Sequence, residues 1–203
     1  TSGPTDPICD PVLKKMLTKP SHEKARAYGY SLASSVIETF HAGDFKQSPK
    51  PSITVHSAEI ELAIENFMLS LGTLLGVIDT DPKFSLTPPF MRYLSEVAFI
   101  QLGDASITGV PGELYPEIAV GGIENPPGAD YVIAPQEVPH LRSQFPGKLN
   151  LMVNLANDSI GYIIPKSEWD EDAPWIYGEN EETYGEVVSL GPNTAPIIHE
   201  NLV

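Results

Sequence analysis

Cysteine is almost absent: Cys9 stands alone among 203 residues, so no disulfide can close within the chain. That scarcity leaves the compartment open. Basic residues are also few. Lys and Arg total 12 against 27 Asp and Glu, a formal net charge of −15. A surface this acidic repels phosphate backbones, which argues against nucleic acid as a partner. It offers no electrostatic help in docking to anionic membranes either. Long apolar runs are missing too. The longest, such as Leu71 to Ile78, fall far short of a bilayer span, so the chain reads as not transmembrane. No basic-then-apolar leader opens it, and no internal repeat or low-complexity tract follows.

What is present is a hydrophobic content of 41%, near the globular norm, with 20 prolines, roughly twice the usual proportion. That combination predicts a hydrophobic core with many turns between short elements, not a helical bundle. The first twenty residues read as loop, broken by Pro4, Pro7, Pro11 and Pro20. Ser21 then caps a helix with Glu23 in its first turn. Ala25, Tyr28, Leu32, Val36 and Phe40 recur at helical spacing and predict one buried face, ended by Gly43. Residues 52–65 alternate as a half-buried strand, with a bulge expected near Ser57 where the phase slips. Phe67 to Ile78 fits a short helix or a strand pair equally. Ser95 to Val110 reads as two strands around a Gly103-Asp104 turn. Leu149 to Ala156 reads as a buried strand, and Tyr162 to Ile164 as extended. Trp169 to Glu186 reads as acidic and irregular, and the chain closes on a short apolar tail. Loose alternation of helices and strands predicts α/β or α+β with a mixed sheet and flanking helices.

The histidines, His22, His41, His56, His140 and His199, are scattered with no pair at helical ligand spacing, so each alone reads as a surface or core residue. A phosphate-cradling glycine loop and a nucleophile elbow are both missing. Two segments can carry chemistry. In Ile100 to Glu113 a hydrophobic strand delivers a carboxylate at a Pro111-Gly112 corner, a rigid place where backbones approach closely. Glu113 there can serve as a metal ligand or base, or can merely favour the start of the following helix. In Leu151 to Tyr162 a buried strand ends in the polar loop Asn157 to Gly161, at a sheet edge where ligands gather in open sheets. The plain alternative is an Asn-Asp turn with Tyr162 packed on the core.

Gly103-Asp104 leading to Val110-Pro111-Gly112-Glu113, then Leu155-Ala156-Asn157-Asp158 with Gly161-Tyr162, then Tyr184 through Thr194 resembles, in that order, the neutral/alkaline ceramidases. The likeness covers residues 95–203 best. It implies the C-terminal part of a catalytic domain, spanning 1–203 without a separate immunoglobulin-like domain. It also implies hydrolysis of an N-acyl amide in a ceramide-like lipid, with one zinc ion. Glu113 and Tyr162 fall on the glutamate and tyrosine zinc ligands, and Tyr184 on a further active-site tyrosine. Both histidine ligands would come from an N-terminal segment or chain of the same precursor. A secreted or periplasmic location is favoured by the same resemblance. Zinc would lower the pKa of its water to roughly 7 and polarise the amide carbonyl.

The chain departs from the family where Ile163-Ile164-Pro165 replaces a Thr-Thr pair, and where residues 170–182 form an insertion. A different amide or peptide bond, or a non-catalytic binding module, therefore stands beside the ceramide-like substrate. Thr1 lies near the position of an active-site motif in the family. If a precursor is cut before it, Thr1 can act as a nucleophile with its own amine as base. An arbitrary boundary at Thr1 is the plain alternative.

Overall fold

The computed structural model describes residues 7–43, 52–78, 82–181 and 183–203. Thr1 lies outside them. The chain divides into two compact units, Thr1–Lys50 and Pro51–Val203.

In the first unit the expected loop contains a small antiparallel pair, β1 (Ile8–Cys9) with β2 (Met16–Leu17). Buried Asp10 closes it by accepting the Val12 and Leu13 amides at 2.8 and 2.9 Å. Helix α1 (His22–Ala42) begins as the cap signal predicts, with the Ser21 hydroxyl accepting the Lys24 amide at 3.1 Å. It stops at Gly43, whose φ of 73° few other residues tolerate. The predicted buried face is corrected: within α1 only Lys24 and Ala27 are buried, while Leu32, Val36 and Phe40 are exposed. Helical spacing shows that one stripe is apolar. It cannot show what covers the stripe.

The second unit is α+β, built on a mixed sheet of five strands in the order β3-β5-β6-β8, with β4 on β5. Strand β3 (Ile53–Ala63) runs antiparallel to β5 (Met91–Leu102), and β4 (Lys83–Phe84) adds to β5. Strand β5 turns through Gly103-Asp104 into β6 (Ala105–Gly109), as expected, and β6 pairs in parallel with β8 (Leu149–Val153). Between these strands, α2 (Phe67–Leu74) resolves the ambiguous segment as a helix capped by Asn66, whose side chain accepts the Leu69 amide at 3.1 Å.

The expected bulge in β3 is absent, because the register from Ile53 opposite Leu102 to Ala63 opposite Arg92 is unbroken. The phase slip has a different cause. The apolar residues change faces along one continuous strand. Ile60 and Leu62 point inward with Val97, Thr108 and Met152, where α5 (Thr194–Leu202) lies against β3 and β5. Ile53 and Val55 point to the outer face. There they align with Leu102, Ile100, Ile107, Leu149, Leu151 and Val153, and this half of the outer face is exposed or half-exposed. Strand β8 is therefore not the fully buried strand its apolar run suggests. Further along, the outer face turns charged at Glu59, Glu61, Arg92 and Glu96.

After β6 the chain forms β7 (Glu113–Leu114) and α3 (Pro116–Val120), with Pro116 in the first turn where its missing N–H costs nothing. Strand β9 (Tyr162–Ile163) pairs in parallel with β7. A one-turn α4 (Tyr184–Val187) precedes α5, which replaces the expected apolar tail. The core gathers Ile60, Leu62, Val97, Val110, Ile118, Leu141, Ile163 and Ile198.

Candidate functional site

The corner at Pro111-Gly112 forms because nothing larger fits. A Cβ on Gly112 would collide with the Gly161 carbonyl oxygen, and one on Gly161 with the Val188 carbonyl oxygen. Gly161 also holds a φ of 88°, in the left-handed region. Two backbones can thus press together here. The Glu113 amide donates to the Gly161 carbonyl at 2.8 Å, and the Tyr115 amide to the Ile163 carbonyl at 3.1 Å. The resulting register sets Glu113 directly opposite Tyr162.

The loop before Tyr162 is tied down from the sheet side. Asp158 accepts the Tyr93 hydroxyl at 2.9 Å and the Ser95 hydroxyl at 2.8 Å, both from β5. Leu155 and Asn157 take positive φ to shape the bend. From the other side, the Ser189 hydroxyl donates to the Tyr162 carbonyl at 2.8 Å, and the Tyr162 amide to the Val188 carbonyl at 3.4 Å. The Asn66 amide group in turn donates to the carbonyls of Val187 at 3.1 Å and Ser189 at 3.2 Å. All the segments singled out in the sequence therefore meet: the Pro-Gly-Glu corner, the Asn-Asp loop and the Tyr184-to-Thr194 stretch.

Glu113, Tyr162 and Tyr184 come together at this junction. The Tyr162 phenol belongs to the residue directly opposite Glu113 across the two strands. Desolvation raises the phenol's pKa, and the charge on Glu113 raises it further. The Tyr162 and Tyr184 rings meet edge-on with centroids 6.0 Å apart. Tyr184 is 70% exposed. Tyr115 was not singled out in the sequence. Its ring meets Tyr162 edge-on at 6.2 Å, and burial pushes its phenol up to about 12, helped by the charge on Glu186. Its signal was legible: two residues after Glu113 on an extended segment, it falls on the same side.

Beside Tyr115 a polar cavity of about 300 Å³ is lined by Glu117, Glu124, Glu168, Tyr177 and Glu186. Burial raises the pKa of Glu168 and of Glu186. Here the irregular acidic segment has its structural logic. Buried Asp170 accepts the Ile176 amide at 3.2 Å, and Asp130 accepts the Glu171 amide at 2.7 Å.

Glu113 and Tyr162, opposite each other in register, bring a carboxylate and a phenol oxygen to one junction, and of these the carboxylate is an ordinary zinc donor. Among the described residues, no group of three or more His, Cys, Asp or Glu converges as a metal site. His199 is committed elsewhere, with its Nε2 at 2.9 Å from the Pro139 carbonyl oxygen. Among the described residues no helix is long and apolar enough to cross a membrane. Comparison with protein-family models, with curated proteins and with solved structures gave no match.

Proposed function

We propose that this chain is the C-terminal part of a zinc-dependent amidohydrolase that cleaves an N-acyl amide of a ceramide-like lipid. The observation that carries the reading is the register pair Glu113–Tyr162, side by side, with Tyr184 at ring-contact distance from Tyr162. Glu113 and Tyr162 hold the metal, with histidines from an N-terminal segment of the same precursor completing the set. Zinc at this position supplies an acidified water and a polarised carbonyl. Tyr184, itself exposed, offers its hydroxyl to the oxygen that gains charge as the amide carbon is attacked. The Gly112–Gly161 contact and the Ser189 bond keep the two ligands in register.

An exposed apolar area on the outer face of the sheet supports the need for a partner segment. Ile53 and Val55 are 70% and 62% exposed, beside the apolar residues of β5, β6 and β8. Sheets normally bury such a face against another layer.

The test uses the assembled protein, with its N-terminal segment, on a panel of N-acyl amides with and without chelator. Chelator-sensitive hydrolysis is expected, with Tyr184→Phe lowering kcat by roughly 10²-fold. Stoichiometric zinc is expected in the assembly but not in the isolated chain. Chelator-insensitive turnover would remove the zinc mechanism, and no turnover of any amide would leave a binding module.

A further inference from the structure

A second cavity, of about 300 Å³, lies between α2 and the turn that leads into Tyr162. Its walls are Ile64, Leu69, Ile78, Ile160, Val188 and Leu190. Among the described residues, Thr73, Tyr93 and Ser159 supply its side-chain polar atoms and no charged residue lines it. The Tyr93 hydroxyl is already spent on Asp158. A charged or strongly polar occupant would lose its hydration here without replacement partners, whereas a hydrocarbon loses nothing. Ser159 is exposed and marks the mouth, while Ile160 and Leu190 are buried and mark the floor.

The position of the cavity matters as much as its lining. Gly161 is part of the wall, its carbonyl accepts the Glu113 amide, and the next residue is Tyr162. The cavity therefore abuts the backbone that leads into Tyr162 and is bonded to Glu113. The outer wall is α2, a helix with no charged side chain from Phe67 to Leu74 and none fully buried. Asn66 anchors its start to the carbonyls of Val187 and Ser189.

We propose that this cavity binds one unbranched hydrocarbon chain, the acyl chain of the substrate, with α2 as its adjustable wall. The inference rests on the amidohydrolase reading for the identity of the substrate, but not for the binding of hydrocarbon.

The experiment uses the assembled protein and two variants that change the cavity in opposite senses, Thr73→Trp to fill it and Leu69→Ala to enlarge it. Two readouts are taken. One is the ratio of kcat/KM for a C16 N-acyl amide to that for its N-acetyl analogue. The other is the affinity for a fluorescent C18 polyene fatty acid, measured with chelator present. Thr73→Trp is expected to lower the ratio and weaken the fatty acid by about tenfold or more, and Leu69→Ala to shift preference toward longer chains. An unchanged ratio and affinity in both folded variants would overturn the cavity as the acyl site, while leaving amide hydrolysis standing. Should no amide be cleaved, fatty-acid binding that Thr73→Trp abolishes would support the cavity although the enzymatic reading fails. Absence of fatty-acid binding in the unaltered protein, with an unchanged ratio, would overturn it.

Discussion

Single residues around the tyrosine cluster carry opposed demands. Glu186 is buried at 4% exposure, and burial raises its carboxyl above the ordinary 4.5, although Thr183 donates a hydrogen bond to it. The folded state therefore holds this proton more tightly than the unfolded state does. Its contribution to stability is full below about pH 4.5 and is lost as pH rises through the raised value. Glu186→Gln keeps a side-chain oxygen for Thr183 and removes the charge. Thermal melts from pH 4 to 8 should show a Tm gain at neutral pH that shrinks toward pH 4. A variant that melts lower than the native protein at pH 7 would show that the charge is needed in place. Glu168 is shifted in the same direction, again chiefly by burial.

At the scale of elements, the pairing of β7 with β9 is the decisive local event, and it hangs on close backbone contact. Gly161→Ala meets both a positive φ and a carbonyl oxygen in the path of the new methyl group. Gly76 also has a positive φ, of 68°, but open space around it. Alanine at Gly76 should cost about 1 kcal/mol, the left-handed penalty alone. Alanine at Gly161 should exceed that by about 2 kcal/mol or more, since the strands must separate. Urea unfolding of both variants checks the difference, and equal losses would mean that the contact is soft. Much of this was legible beforehand. A Pro-Gly corner delivering Glu113 follows from residue chemistry, as do the Ser21 cap and the Gly103-Asp104 turn. The partner strand was not legible, because parallel pairing joins segments about fifty residues apart and no local pattern encodes it. Helix α5 stands where a short apolar tail was expected: Pro196 sits in its first turn, where the ring is tolerated.

For the whole molecule, the outer face of the sheet sets the expected behaviour. Ile53, Val55, Leu149 and Leu151 form part of an apolar area next to a charged one. Exposed patches of this kind mark association surfaces or aggregation risks. The isolated chain should be poorly soluble and should co-purify with an N-terminal segment of its precursor when both are expressed. Ile53→Lys with Leu151→Lys should raise the solubility of the isolated chain and weaken that association. If the double variant still captures the segment with unchanged affinity, another surface holds it.

Sequence by itself determined the Ser21 cap, the end of α1 at Gly43 and the Gly103-Asp104 turn, and which residues are chemically suited to a site. Those are local properties: a hydroxyl before a helix, a glycine where φ is positive, a carboxylate at a corner. Only the tertiary structure decided that Glu113 faces Tyr162, that Tyr115 and Tyr184 flank it, and that the apolar residues of β3 divide between two faces. The same alternation serves either face of a sheet, and only the neighbours on β5, β6 and β8 settle which half is covered.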